Sequence, residues 1–163
     1  YLTVVNVADG ATRLVGPFSA PIRPFTVNGK QSLVFVNVNG LLGFEVGDLK
    51  TGKMLHRVEV TGVQPGPVKR HGCPMHVFDA TAMPPRQVAS LPVRDQPGWV
   101  TFSLDGRYAY PSTGEVFDVK TKKIVATLAE GSQAVHSEKL VEIHFEGKEP
   151  VRVGDQFGVG RVR

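Results

Sequence analysis

The sequence predicts an all-β fold assembled from a repeated unit of short antiparallel strands, and three observations carry that reading. The first is a recurring phrase: an apolar run, an Asx or acidic residue, a short polar turn and a second apolar run. It stands at Val4-Val5-Asn6-Val7-Ala8-Asp9-Gly10, at Val46-Gly47-Asp48-Leu49-Lys50-Thr51-Gly52-Lys53, at Val77-Phe78-Asp79-Ala80-Thr81 and at Val116-Phe117-Asp118-Val119-Lys120-Thr121-Lys122-Lys123. A weaker copy runs from Leu140 to Lys148. Self-similarity at about 40 residues marks a stacked or radial array whose units bury their apolar faces against one another. The second observation is 18 Gly and 12 Pro with no long 3.6-residue apolar period, which argues against helices. The third is that the apolar runs are short, rich in Val, Phe, Ile and Thr, and bounded by turn residues, as strands are.

In chain order, residues 1–17 read as the end of one unit. Residues 22–60 read as a complete unit: Pro24 to Val27 a first strand, Asn28-Gly29-Lys30 its turn, Ser32 to Val38 a second strand. Asn39-Gly40 is a hairpin signal of the type I′ kind, Leu41 to Val46 a third strand, Asp48 to Gly52 a turn and Lys53 to Val60 a fourth strand. Residues 75–93 read as half a unit. Residues 99–128 form the second complete unit, with strands at Trp99 to Ser103, Tyr108 to Pro111, Glu115 to Val119 and Lys123 to Leu128, the first turn being Leu104-Asp105-Gly106-Arg107. Residues 139–153 read as a closing hairpin. Four antiparallel strands joined by tight turns make one propeller blade, so about fourteen strands, grouped two, four, two, four and two, predict a partial β-propeller. Such an open arc or incomplete ring exposes blade edges, and self-association through those edges is expected.

Composition narrows the class. Hydrophobic residues at 41% and charged residues at 21% fit a folded globular chain rather than a disordered one. No apolar run approaches the roughly 20 residues of a membrane helix, so no membrane span is expected. The net charge is +4 and the pI about 9.4, but the basic residues are scattered. Lys69-Arg70, Lys122-Lys123 and Arg161 to Arg163 lack interleaved aromatics, which argues for solvated surface and against nucleic acid. The single cysteine, Cys73, excludes an intramolecular disulfide framework.

Four segments carry a family resemblance: Ile22-Arg23-Pro24-Phe25-Thr26-Val27-Asn28-Gly29, the run from Phe35 to Asp48, Asp95-Gln96-Pro97-Gly98-Trp99-Val100-Thr101-Phe102-Ser103, and the run from Val151 to Arg161. They resemble bacterial YVTN-type β-propeller repeat proteins of the lactonase- and quinoprotein-like superfamily, and the resemblance covers almost the whole chain. Members of that group are longer. The resemblance therefore implies a truncated chain, internally shortened by two strands between Arg70-His71-Gly72-Cys73-Pro74 and Met75-His76-Val77-Phe78-Asp79. It also implies a non-catalytic, WD40-like scaffold for a protein or small-molecule ligand. An extracytoplasmic location, periplasmic or secreted, follows from the same likeness, with a cytoplasmic one as the alternative.

Propellers bind ligands where the loops entering each innermost strand converge on the channel mouth. Three such entries are Ile22-Arg23-Pro24-Phe25, Arg70-His71-Gly72-Cys73-Pro74 and Arg94-Asp95-Gln96-Pro97-Gly98-Trp99. The candidate ligand-binding residues are accordingly Arg23, Arg70, His71, Asp95, Gln96 and Trp99, although polar groups of this kind also satisfy loop backbone. No catalytic residue and no cofactor is assigned. His71 and Cys73, with His76, are metal-ligand types, but their His-x-Cys-x-x-His spacing matches no standard paired arrangement, so no metal site is expected. His56, His136 and His144 read as surface or satisfied histidines. No Ser lies in a Gly-x-Ser-x-Gly elbow, and no helix follows the glycines of Gly154 to Gly160 to make a phosphate site. Asp9, Asp48, Asp79 and Asp118 read as turn caps rather than general acids. The competing reading is a lactonase-like enzyme binding a metal or a sugar-derived lactone at the channel mouth, with Asp95 and Gln96 among the ligands.

Overall fold

The structure, a computed structural model, describes residues 1–62, 74–155 and 158–161. Among these residues every helix or strand element is a strand, and no helix long and apolar enough to cross a membrane is present. Residues 1–62 and 76–89 form one compact unit; residues 74–75, 90–155 and 158–161 belong to a second.

The first unit opens on a hairpin of β1 (Leu2–Val5) and β2 (Thr12–Val15). A four-stranded antiparallel meander follows: β3 (Ile22–Val27), β4 (Leu33–Val38), β5 (Gly43–Asp48) and β6 (Met54–Glu59), paired in that order. β7 (Pro74–Asp79) and β8 (Arg86–Pro92) form a two-stranded sheet. The second unit holds another four-stranded meander, β9 (Val100–Phe102), β10 (Tyr108–Pro111), β11 (Glu115–Asp118) and β12 (Ile124–Thr127). After it come a small pair, β13 (Ala129–Glu130) and β14 (Gln133–Ala134), and a three-stranded sheet of β15 (Glu142–Glu146), β16 (Glu149–Asp155) and β17 (Gly158–Arg161). The described residues thus hold seventeen strands rather than about fourteen. The additions are β13–β14, two residues a side and too short to show alternation, and β17, whose glycines leave no side-chain period to read.

The two meanders repeat one pairing pattern, with a connection between second and third strands that is five residues shorter in the second. Phe25 opposes Val36, Thr26 Phe35 and Val27 Val34; in the second sheet Val100 opposes Pro111, Thr101 Tyr110 and Phe102 Ala109. Leu33 opposes Asp48 as Tyr108 opposes Asp118. Between the third and fourth strands Glu45 faces Arg57 and Glu115 faces Thr127, and both ladders slip one step later, between Val46 and Gly47 and between Val116 and Phe117. A shared irregularity at one position is a feature of the unit, since a bulge re-aims a strand in a defined way.

The turns repeat as well. Asn28 N–H donates to Leu33 O and Ser103 N–H to Tyr108 O; Gln31 N–H donates to Asn28 O and Gly106 N–H to Ser103 O. Both Gln31 (φ 52°) and Gly106 (φ 72°) sit in the left-handed region, which glycine enters freely and a glutamine enters against a Cβ clash. After the third strand, Gly52 N–H bonds Asp48 O and Lys122 N–H bonds Asp118 O, each from a residue of positive φ, and Gly10 N–H bonds Asn6 O in the same way.

Each meander buries one face against the strand pair before it. In the first unit Val34, Val36 and Val38 pack with Val15, Phe18 and Leu49, with Leu2, Val4 and Ile22 at the margin. In the second, Ala109 and Phe117 pack with Val93, flanked by Met75, Leu91 and Val100. Gly47 and Phe117 are equivalent, and so are Phe18 and Val93. A Cβ on residue 47 would stand 3.2 Å from the Phe18 ring, so the first copy pairs a small residue with a large one and the second reverses the order. Conserving volume across an interface preserves packing density while its sequence changes. The opposite face of the first meander carries Phe35 edge-on to Phe44 (5.9 Å between centroids), and Phe44 edge-on to Phe78 (5.0 Å).

Candidate functional site

The carboxylates of the recurring phrase are turn caps. Asp48 Oδ1 accepts the N–H groups of Lys50 (2.7 Å) and Thr51 (2.9 Å), and Asp118 Oδ1 accepts the Thr121 N–H (2.7 Å) and hydroxyl (2.9 Å). Asp79 caps Thr81 through its N–H (2.9 Å) and hydroxyl (2.6 Å), and Asn6 Oδ1 accepts the Ala8 N–H at 3.0 Å. Hydrogen bonds to the ionised form hold all three Asp carboxyls below their ordinary value of 3.8: for Asp48 and Asp118 the turn amide of Thr51 or Thr121 dominates, and for Asp79 the Thr81 hydroxyl.

A folded carboxyl held below its unfolded value adds stability that is complete above the unfolded value and fades as pH falls through the folded one. Urea midpoints are therefore expected to be level above about pH 5 and to decline below about pH 4, the ordinary carboxylate range. Asn6 performs the same cap without a charge. In Asp48→Asn/Asp118→Asn the acid decline is expected to shrink while the midpoint at pH 7 changes little; an unchanged acid slope would remove these caps from the account.

Three residues before each of Asp48 and Asp118 stands a buried glutamate on the packed face of its sheet. Glu45 is fully buried: its Oε2 accepts the Ser19 N–H (2.9 Å) and its Oε1 faces Arg57 Nη1 at 3.4 Å. Arg57 Nη1 also reaches the Ser19 hydroxyl (3.0 Å). Glu115 is also buried and accepts the Arg94 N–H at 2.6 Å. Ser19 precedes Phe25, and Arg94 precedes Val100, by the same number of residues, so one carboxylate fastens the same point of the entering connector in each copy. The position three before Asp79 is His76, whose imidazole burial pushes below its usual value. The paired Glu-x-x-Asp spacing at 45/48 and 115/118 is the sequence signal that marks these residues.

A groove of about 70 Å3 lies in the second unit beside Trp99. Thr101 and Tyr110, partners across β9 and β10, supply one wall with Ser112, and Val135 with residues 137–140 supplies the other. The walls are joined through the backbone: Ser112 N–H donates to Trp99 O, Gly98 N–H to the Ser112 hydroxyl (2.8 Å) and Ser137 N–H to Ser112 O. Lys139 Nζ sits 5.8 Å from the centre of the Trp99 ring, within cation–π range, and Glu138 packs over Gly98. Burial first, then the charges of Glu142 and Asp105, pushes the Tyr110 phenol above its ordinary value of 10.0, so at neutral pH it remains a hydroxyl. The groove thus combines an aromatic platform, buried hydroxyls and a charged rim.

Of the residues expected at the channel mouth, Trp99 lines this groove. Asp95 and Gln96 lie on the connector ahead of it, where Asp95 Oδ1 accepts the Gln96 N–H at 2.7 Å. Arg23 belongs to the first unit and donates from Nε to Asn39 Oδ1 (2.7 Å). Within their own sheets Arg23 corresponds to Gly98, whereas Asp95 and Gln96 correspond to Ala20 and Pro21, so the entries are offset rather than aligned by their prolines. Arg70, His71 and Cys73 lie outside the described residues. Among the described residues no three His, Cys, Asp or Glu side chains gather as a metal group would require. The glycines of 154–160 fall in paired strands, Gly154 opposite Val159 and Val153 opposite Gly160. Arg94 opens the third entry segment without being one of its candidate residues, and no motif marks Ser112, Ser137 or Lys139, because chain segments far apart bring them together. No protein-family model, curated protein or solved structure matches this chain.

Proposed function

We propose that this chain is part of a β-propeller whose four-stranded blades serve as a non-catalytic binding scaffold, with the groove beside Trp99 as its ligand site. The observation that carries the reading is the repetition itself: register, bulge, turn and buried glutamate recur in both meanders. The recurring acids are engaged in backbone hydrogen bonds, which suits a frame that presents loops. The likeness to YVTN-type proteins supports the same reading and favours an extracytoplasmic setting. What differs between the copies is the loop chemistry, and loops on a rigid frame are where binding specificity resides.

Trp99 is the only tryptophan, so its emission reports the groove directly. Titration with a panel of amino acids, short peptides and sugars is expected to give a saturable emission change, abolished in Ser112→Ala/Lys139→Ala, with no turnover of the ligand. Metal-dependent lactone hydrolysis that disappears in Asp95→Ala would establish the lactonase-like enzyme instead.

A further inference from the structure

The first meander holds two Asn-Gly pairs, one in each of its first two turns, and the fold grips them differently. Asn28-Gly29 joins β3 to β4. The Asn28 side chain is fastened at three points: Oδ1 accepts the Ser32 N–H (2.8 Å) and the Leu33 N–H (3.0 Å), and Nδ2 donates to the Ser32 hydroxyl (3.0 Å). The backbone around it is closed by Gln31 N–H on Asn28 O (2.8 Å) and Asn28 N–H on Leu33 O (3.1 Å). Asn39-Gly40 joins β4 to β5, and both of its residues are exposed. Among the described residues the Asn39 side chain is held by one bond, from the exposed Arg23 Nε to its Oδ1 (2.7 Å). Its turn is closed by a long contact, Leu41 N–H to Val38 O at 3.3 Å.

We propose that Asn39 is a self-modification site, which takes up water and releases ammonia, while Asn28 is spared. The Gly40 nitrogen gives up its proton and attacks Asn39 Cγ. A C–N bond forms, the Cγ–Nδ2 bond breaks, and Nδ2 leaves as ammonia after taking a proton from water. The product is a five-membered cyclic imide. Water opens it at Cγ to give aspartate, or at the Asn39 main-chain carbonyl carbon to give isoaspartate, whose chain continues through Cγ. The exchange is of ammonia for water and involves no change of oxidation state. Both glycines have open space where a Cβ would stand, so no side chain shields either nitrogen. Neither glycine N–H donates a bond among the described residues, so the side-chain amides decide between the two sites. Attack requires the amide to swing over its own following peptide. At Asn39 that motion breaks one exposed bond and at Asn28 three, enough to slow Asn28 by at least about tenfold. The aspartate product sets a carboxylate against Arg23 in place of a neutral amide, a stronger contact, whereas isoaspartate adds a methylene to the backbone between β4 and β5.

The test incubates the whole chain in mildly alkaline buffer and follows each amide by peptide mass mapping. Cleavage at lysine separates the two sites, because Lys30 lies between them. Asn39 is expected to convert to a mixture of aspartate and isoaspartate, with Asn28 at least about tenfold slower. In chain unfolded by urea the two rates are expected to converge, since the fold alone distinguishes two Asn-Gly pairs. Gly40→Ala, whose methyl shields the attacking nitrogen, is expected to lose the reaction at Asn39 and to leave Asn28 as in wild type. The proposal is overturned if Asn39 keeps its amide in the folded chain over a time in which the unfolded chain has reacted, or if both sites react alike when folded. It is also overturned if Gly40→Ala reacts at Asn39 as fast as wild type. Should Gly40→Ala not fold, the folded and unfolded wild-type rates decide alone.

Discussion

Replacing Gly43 by alanine is expected to destabilise the first unit by about 3–4 kcal/mol, the sum of an unfavourable backbone conformation and a hard contact. Gly43 begins β5 at φ 148°, where L side chains are rarely found, and a Cβ there would stand 2.1 Å from the carbonyl oxygen of Val58. That oxygen is main chain on the neighbouring strand, so relief requires β5 and β6 to part. The comparison that isolates this cause is Gly40→Ala. Gly40 also has positive φ, 77°, but faces open space, and only the conformational cost of about 1 kcal/mol applies. Urea unfolding of the two variants should separate them clearly; equal losses would mean that β5 and β6 do not approach as described.

Truncating Glu45 to alanine is expected to cost about 2–3 kcal/mol, because it leaves the Ser19 N–H without its acceptor and opens a void in the packed face. Glu45→Gln keeps an acceptor for that N–H and most of the volume, losing only the charge pair with Arg57. Less than half of the alanine loss is expected. A larger loss for glutamine than for alanine would make the ion pair the dominant contribution, contrary to the part-exposed setting of Arg57. At Glu115 the ordering is expected to differ. With one oxygen already lacking a partner, Glu115→Gln removes charge from a site that does not neutralise it internally, and a smaller penalty follows than at Glu45.

Much of the strand pattern was legible in the sequence, for identifiable reasons. Leu33–Val38 is an apolar run bounded by turn residues, and valine recurs at every second position, 34, 36 and 38, which is the wholly buried face. Tyr108–Pro111 matches the expected strand at both ends, since Asp105-Gly106 terminates it on one side and Pro111 on the other. The turn role of Asp48, Asp79 and Asp118 followed from residue chemistry alone. What the sequence hid was register. The prolines at 24 and 97 suggested one alignment of the strand entries, whereas the ladder pairs Phe25 and Val100 with equivalent partners and moves Arg23 opposite Gly98 in the comparison. Register depends on cross-strand pairing, which has no local signature. The repeated Glu-x-x-Asp spacing marks Glu45 and Glu115 as equivalent, but their burial is hidden, because a glutamate within an apolar strand reads as an outward position until its packing is known. The groove at Trp99 unites positions 99, 112 and 137 through backbone hydrogen bonds over long sequence separations, beyond the reach of any motif.

The most direct measurement is amide hydrogen exchange at Ser19 and Arg94, two N–H groups in connectors rather than strands. The account predicts protection at both, comparable to the neighbouring strand amides, with Ser19 alone released in Glu45→Ala and Arg94 alone in Glu115→Ala. Rapid exchange at both sites in the wild-type chain would contradict the claim that one unit, fastened by one buried glutamate, is built twice.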